Sequence, residues 1–301
     1  MKKILITGKN SYIGNALATW LLNTANNHDV VEKISLKDQS WREQDFSSYD
    51  TIVHVAGIAH SDISGSSAKT KALYYQINTD LTIAVAKKAQ RAGVGQFIFI
   101  SSMIVYGNSA PFGSAKMVTA HTLPAPANFY GDSKWQAELG LTALSTADFK
   151  VAIIRPPMIY GKNSQGNYPR LVKLAKLTPV LPDVENVRSM LYIDNLCEFI
   201  RLLIVNGDNG VFHPQNANYV KTTALMVAIV AANGKTAHVT KNFNPLLKYL
   251  SKHIPTINKV FGSFSYDLAL SEYQTDYRLV NFEESVNSWL VLNANFYCLN
   301  W

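Results

Sequence analysis

The stretch Ile4-Leu5-Ile6-Thr7-Gly8-Lys9-Asn10-Ser11-Tyr12-Ile13-Gly14 opens the chain with an apolar run, a glycine, a polar loop and a second glycine. The apolar part has the length and β-branched content of a strand, and the residues after it follow a helical pattern. Gly8 permits a tight turn, and Gly14 permits close packing of the helix on the strand. The amides at the helix start, from Asn10 to Ile13, can then bind a pyrophosphate. Ser11 stands where such a loop often has its middle glycine, and its hydroxyl can add a phosphate contact. Alone, these residues also fit an ordinary βα turn.

Around that junction, short β-branched runs alternate with longer helical patterns, as a parallel sheet with crossover helices requires. Strands are expected over Lys3–Thr7, Val30–Leu36, Thr51–Val55, Gln96–Ser101 and Lys150–Arg155. Helices are expected over Tyr12–Leu22, about Ala68–Arg91, and Phe129–Leu144. Pro156-Pro157 then punctuates the chain. Beyond it, turn-rich loops (Gly161–Pro169, Thr178–Asn186) alternate with helices over Asp194–Val205, Thr222–Asn233 and Pro245–His253. Short strands at Val211–His213 and His238–Thr240 lie between them. The expected fold class is α/β: a Rossmann-type doubly wound parallel sheet with a smaller C-terminal α/β substrate lobe. Residues 1–157 would form the dinucleotide-binding domain and 158–301 mainly the lobe, some of whose segments return to the main sheet. The cleft at the carboxyl ends of the strands is the expected binding site.

Composition narrows the class. The 301 residues are 48% hydrophobic and 16% charged, which suits a sizeable buried core and argues against disorder. No apolar run reaches the roughly 18 residues of a membrane span; the longest, Ala224 to Ala232, reads as a buried helix. The opening apolar stretch is broken at Thr7-Gly8-Lys9, too early for a secretory leader. Two lone cysteines, Cys197 and Cys298, give neither a disulfide scaffold nor a cysteine zinc site, and a cytoplasmic location is expected. The net charge of +7 and pI of about 9.2 suit an anionic partner. The basic residues are spread out with no nucleic-acid motif, so the expected partner is not nucleic acid.

The second strand should end on a residue that reads the adenosine ribose: an acid for NAD, a base for NADP. Here it runs into Ser35-Leu36-Lys37-Asp38, which carries both signs and leaves the choice open; Glu32 falls within the strand. The strongest chemical signal is Tyr130-Gly131-Asp132-Ser133-Lys134. On a helix, residues four apart share a face, and an ammonium beside a phenol favours tyrosinate, so the tyrosine can act as acid or base.

Further segments fall in an ordered series. They are His54-Val55-Ala56-Gly57, Asn78, Ser101-Ser102 with Val105-Tyr106-Gly107, Tyr130 with Lys134, Arg155-Pro156 with Tyr160-Gly161, and Arg188 with Tyr192-Ile193-Asp194. In their order and spacing the sequence resembles the extended short-chain dehydrogenase/reductases, specifically the NAD-dependent epimerase/dehydratase group, from about Lys2 to Val205. The resemblance implies that Tyr130 is the catalytic acid/base. It implies that Lys134 holds the nicotinamide ribose and that Ser102 hydrogen-bonds the reacting sugar oxygen. Gly8, Asn10, Ser11, Tyr12, Ile13 and Gly14 would take the pyrophosphate, Lys37 and Asp38 the ribose, and Asp45 and Phe46 the adenine. Val55, Ala56, Gly57 and Pro156 would line the cofactor, with Asn78 supporting the hydrogen-bond network. Tyr106 and Arg188 would touch the substrate, Arg188 through its diphosphate. A homodimer is also implied.

One departure separates reaction types. Sugar dehydratases of this family follow the catalytic hydroxyl with an Asp-Glu pair, whereas Ser102 is followed by Met103 and Ile104, which transfer no proton. Dehydration is therefore not expected. Epimerisation at C4 of a nucleotide-activated sugar through a transient ketone is the leading reading, with NAD as cofactor and NADP as the alternative. An NADPH-dependent ketosugar reductase is the rival, and a non-catalytic nucleotide sensor is a third reading. The seven histidines (His28, His54, His60, His121, His213, His238, His253) show no metal-ligand spacing, and no metal is expected. Lysines from Lys235 to Lys259 alternate with apolar residues up to Phe264, a pattern that would suit weak peripheral membrane contact and a lipid-linked diphosphate sugar. The preferred reading from the sequence is a lobe helix with a solvated lysine face. The aromatic tail Asn293–Trp301 is expected to pack on the lobe or on a second subunit.

Overall fold

Six parallel strands form the central sheet in the order Gly210–Phe212, Lys150–Ile154, Gln96–Ile100, Thr51–His54, Lys3–Thr7, Val30–Ile34. The computed structural model describes residues 1–24, 29–59, 67–164, 167–178 and 180–287. The tail Asn293–Trp301 with Cys298, and also His28 and His60, lie outside the described residues. The registers Thr7 with His54 and His54 with Phe99 bring the carboxyl ends of three central strands level.

The strands are apolar on both faces because both are covered. Ile4, Ile6, Val53, Ile98, Ile100, Ala152 and Ile154 point into one core, shared with Leu17 and Leu21 of the first helix and with Leu196 and Ile200. Leu5, Ile52, Phe97, Phe99, Val151 and Ile153 point into the other, against Val85, Ala89, Ala137 and Leu141. The two-residue alternation of strand side chains produces this division. The first helix, Tyr12–Asn23, packs along Ile193–Asn206, and Trp20 Nε1 donates to Glu198 Oε2 at 3.0 Å.

The second half of the chain is not a separate body. Gly210–Phe212 pairs with Lys150–Ile154 at the sheet edge, and Gln96 Nε2 donates to Leu203 O and Asp208 O, both at 2.9 Å. Two expected loops contain regular structure. The helix Asn167–Leu177 begins inside Gly161–Pro169, and Val180–Pro182 pairs with His238–Thr240. Pairing across distant sequence decides such short strands, as for Met158–Tyr160 with Met190–Tyr192, so local patterning does not announce them. The expected helix from Ala68 to Arg91 is continuous but not uniform: Tyr75–Leu81 is wound as a π-helix, which turns Asn78 and Thr79 into the interior.

Candidate active site

The first and third strands lie side by side where the order of strands reverses, which is the crevice used for ligands in open α/β sheets. Gly8 has φ +86° there, and its N–H donates to Ile34 O at 3.0 Å. A Cβ on Gly8 would sit 3.2 Å from Ala56 N, so the two strand ends approach closely only with glycine at this turn. Ser11 caps the helix by accepting from Gly14 N at 3.0 Å, and its own hydroxyl proton remains to donate. A Cβ on Gly14 would lie 2.6 Å from Ser11 Oγ. Asn10 is exposed at the loop tip, while Tyr12 and Ile13 are half-buried. The Tyr12 hydroxyl is buried with no hydrogen-bond partner among the described residues, and burial drives its pKa upward.

Across the crevice, Lys134 is buried, and its Nζ donates to Ile100 O at 2.9 Å. The ammonium lies 4.6 Å over the Phe99 ring. A Cβ on Gly57 would stand 3.2 Å from that nitrogen and 3.0 Å from Asn78 Oδ1. Burial pushes the Lys134 pKa down to about 8, against an opposing pull from Glu138. One turn earlier, Tyr130 is half-exposed, its ring edge-on to Tyr74 at 6.0 Å. Ser102 starts the single turn Met103–Tyr106, and its Oγ accepts from Ile104 N at 3.3 Å.

Several residues passed over in the sequence make this convergence. Asn128 caps the helix Phe129–Thr142 by accepting from Gly131 N at 2.9 Å. A Cβ on Gly131 would come within 2.8 Å of Ile104 O, so this glycine seats the Tyr130 turn directly on the turn that follows Ser102. Thr79 Oγ1 donates to Ser133 O at 2.7 Å, and Asn78 Nδ2 donates to Ser133 Oγ at 3.1 Å. Asn78 also exchanges hydrogen bonds with the Ile58 backbone, fixing the strand end that carries Gly57. A capping side chain before the Tyr130 segment was the readable signal for Asn128; Thr79 had none, because it faces inward only through the π-helical winding.

Other expected site residues have partners of their own. Tyr106 is buried, and its hydroxyl accepts from Arg155 Nη1 and meets His213 Nε2 at 2.8 Å. Pro156 is buried and its carbonyl accepts from Met103 N at 2.9 Å, which anchors the Ser102 turn. Arg188 Nη1 donates to Lys259 O at 2.9 Å and Gly262 O at 3.0 Å, closing the carboxyl end of the helix Pro255–Phe261. Burial holds its pKa down to about 10. Asp45 accepts from Ser47 N at 2.9 Å and Ser47 Oγ at 2.8 Å, and the Phe46 side chain is core. Lys37 is exposed, and Asp38 turns back to accept from Ser40 N at 3.0 Å. Val55 and Ala56 are half-buried beside Gly57.

A glycine turn at the switch point of a parallel sheet, faced by a tyrosine and a buried lysine one helical turn apart, defines an extended short-chain dehydrogenase/reductase. The chain belongs to the NAD dependent epimerase/dehydratase family, whose profile it matches over residues 4–217. It is 32% identical over 238 residues to a UDP-glucose 4-epimerase of Vibrio cholerae, covering 73% of this chain and 69% of that protein. It is 28% identical over 283 residues to an N-acetyl-alpha-D-glucosaminyl-diphospho-ditrans,octacis-undecaprenol 4-epimerase of Escherichia coli O157:H7, covering 88% of this chain and 79% of that one. The fold superposes on UDP-glucuronic acid 4-epimerase from Bacillus cereus in complex with NAD, with a TM-score of 0.72, 18% identity, and coverage of 98% and 99% of the two chains. The family's cofactor is NAD, and the crevice fits it: Gly8, Gly14 and Gly57 are the places where added side-chain atoms would crowd the walls.

Proposed function

We propose that this enzyme inverts C4 of a nucleotide-activated hexose or N-acetylhexosamine through a transient 4-keto sugar. The observation that carries the reading is Lys134. Its buried ammonium is fixed to the end of one strand, one helical turn from Tyr130, whose turn is seated on the Ser102 turn. Tyr130 takes the proton of the C4 hydroxyl as acid/base, and Lys134 stabilises the tyrosinate. Ser102 donates to the reacting oxygen and holds it in place. Bound NAD supplies the hydride chemistry at the same carbon. After the ketone turns over in the cleft, Tyr130 returns the proton. Met103 and Ile104 offer no acid or base for loss of water. Gly8 to Gly14 hold the pyrophosphate, with Ser11 donating from its capping hydroxyl. Residues from 158 onward serve mainly to bind substrate. The same resemblance supports a homodimer, and the two lone cysteines support a cytosolic location.

The test is the nucleotide released when freshly purified protein is denatured. Near-stoichiometric NAD supports an epimerase, which recycles its cofactor. Protein that arrives empty and prefers NADPH overturns it in favour of a ketosugar reductase, a role that exposed Lys37 would suit. Tyr130→Phe is expected to lose turnover by at least about a hundredfold while retaining cofactor; near-normal turnover would refute the assignment.

A second substrate reading has its own support. The lipid-linked diphosphate sugar epimerase matches more of this chain than the UDP-glucose 4-epimerase does, 88% against 73%. On this reading the diphosphate is attached to a polyprenyl chain and the same residues act on its sugar.

A further inference from the structure

From Asn209 to Tyr266 the sequence contains no Asp or Glu, while Lys221, Lys235, Lys241, Lys248, Lys252 and Lys259 give this stretch six of the chain's seven net positive charges. The basic residues are dispersed, but the acids are not, and the excess is concentrated in the lobe. Lys221 pairs with Glu185 at 2.5 Å and Lys241 approaches Asp183 at 3.9 Å. Among the described residues, no carboxylate pairs with Lys235, Lys248, Lys252 or Lys259.

Within this stretch the helix Asn244–Leu250 buries none of its residues. Phe243, Leu246 and Tyr249 are spaced three apart, so they run along one side, and they are 43%, 57% and 62% exposed. Ile254 follows at 43%. Lys248 and Lys252, four apart and both exposed, flank that strip. Surface helices of globular proteins turn such a strip inward. Here, among the described residues, Leu247 alone on this helix packs against the core, beside Ile257, Val260 and the buried Phe261 of the next.

We propose that this face docks the protein on an anionic lipid bilayer, with Phe243, Leu246, Tyr249 and Ile254 entering the interface and the lysines meeting the headgroups. An aliphatic and aromatic strip rimmed by lysine matches acyl chains beneath negative charge. A second copy of the same face would oppose lysine to lysine. Docking would act on the cleft through direct connections. Arg188 binds carbonyls at the end of Pro255–Phe261, Phe112 N donates to Asn258 Oδ1 at 2.8 Å, and Ser109 Oγ donates to Asn258 O at 2.9 Å. The proposal deepens the lipid-linked substrate reading, but its test needs no substrate.

The test is co-sedimentation of the full chain with phosphatidylglycerol–phosphatidylcholine vesicles and with pure phosphatidylcholine vesicles. The expected result is binding to the anionic vesicles that weakens as salt rises. Each lysine neutralised should lower partitioning about fivefold, so Lys248→Gln with Lys252→Gln costs about 25-fold. Leu246→Ser with Tyr249→Ser should also release the protein at unchanged thermal midpoint, since both side chains are exposed. Protein that stays in the supernatant with anionic vesicles overturns the proposal, as does equal binding to neutral vesicles, unaffected binding by both double variants, or retention on nucleic acid alone. If a variant loses its unfolding transition, the salt dependence of the unaltered protein decides: insensitivity overturns it. Turnover of a soluble nucleotide sugar is expected to be unchanged in these variants, so failure to dock and failure of the epimerase reading are separate results.

Discussion

Arg155 Nη2 stands 2.5 Å from Glu138 Oε2, and both side chains are almost wholly buried. Glu138 also accepts from Ser101 Oγ, so one carboxylate ties the residue before Ser102 to the helix that carries Tyr130 and Lys134. Its charge favours the Lys134 ammonium four residues earlier, but burial is the larger effect, and the lysine settles at about 8. The ammonium is therefore present below about pH 8 and lost above it. kcat/KM is expected to fall on an alkaline limb near there. Glu138→Gln removes the favourable charge and should move that limb to lower pH. It also leaves Arg155 unpaired, at a cost of about 3–5 kcal/mol. A pH–rate profile combined with denaturant melts checks both; a limb that does not move refutes the coupling.

Gly14→Ala is expected to abolish retention of NAD and to destabilise the fold by about 1–3 kcal/mol. The new methyl would lie 2.6 Å from Ser11 Oγ, the atom that caps the helix, and 3.2 Å from Gly8 O. Because the nearest clash is with that hydroxyl, adding Ser11→Gly to Gly14→Ala should recover part of the stability. Rescue will be incomplete, since Gly8 O and Ile6 Cγ2 remain close. A double-mutant cycle by urea unfolding, with cofactor content measured alongside, tests this; strict additivity would show that Ser11 is not the obstacle.

Much of the sheet was legible because its signals are local. The β-branched runs, the glycine turn and the tyrosine–lysine spacing are each contained within a few residues, and Lys3–Thr7 and His238–Thr240 occur as read. What was missed depends on distant partners. Met117–Val118 becomes a strand only by pairing with Ser265–Tyr266, and Met158–Tyr160 only beside Met190–Tyr192. The same holds at the site. Tyr130 and Lys134 could be named from spacing, whereas Tyr106 has its hydroxyl engaged by Arg155 and His213 from two other segments. Arg188 could be picked out as a candidate diphosphate arm, but its carbonyl partners Lys259, Val260 and Gly262, about 70 residues away, were not legible from spacing.

His54 predicts an acid limit to stability. It ends the third strand fully buried, with Nδ1 3.1 Å from Thr7 Oγ1, Nε2 3.1 Å from Thr82 Oγ1, and its ring stacked on Phe97. Burial, reinforced by Lys134, pushes its pKa down to about 3, while the unfolded chain binds the proton near 6.5. The unfolded state therefore holds more protons between these values, and stability falls as pH drops below 6.5, by roughly 1.4 kcal/mol per unit. His213, pushed down to about 4 mainly by burial, adds the same sign over part of that window. Urea midpoints are expected to drop from pH 7 to 4.5. His54→Asn should be less stable at pH 7 but flatter below it; an unchanged acid slope would remove His54 from the account.

The π-helical winding at Tyr75–Leu81 makes a separate prediction about Thr79. Its hydroxyl is the donor to Ser133 O at 2.7 Å, at a buried position on the helix between Tyr130 and Lys134. Thr79→Val preserves shape and β-branching but leaves that carbonyl without this donor, which costs about 1–3 kcal/mol. Thr79→Ser keeps the donor and should stay close to the parent in stability. Because the bond orients the Tyr130–Lys134 turn and touches no substrate, Thr79→Val is expected to lower kcat several-fold with little change in KM, and Thr79→Ser to restore it. If valine and serine lower kcat equally, the hydroxyl does not position the helix and the winding serves packing alone.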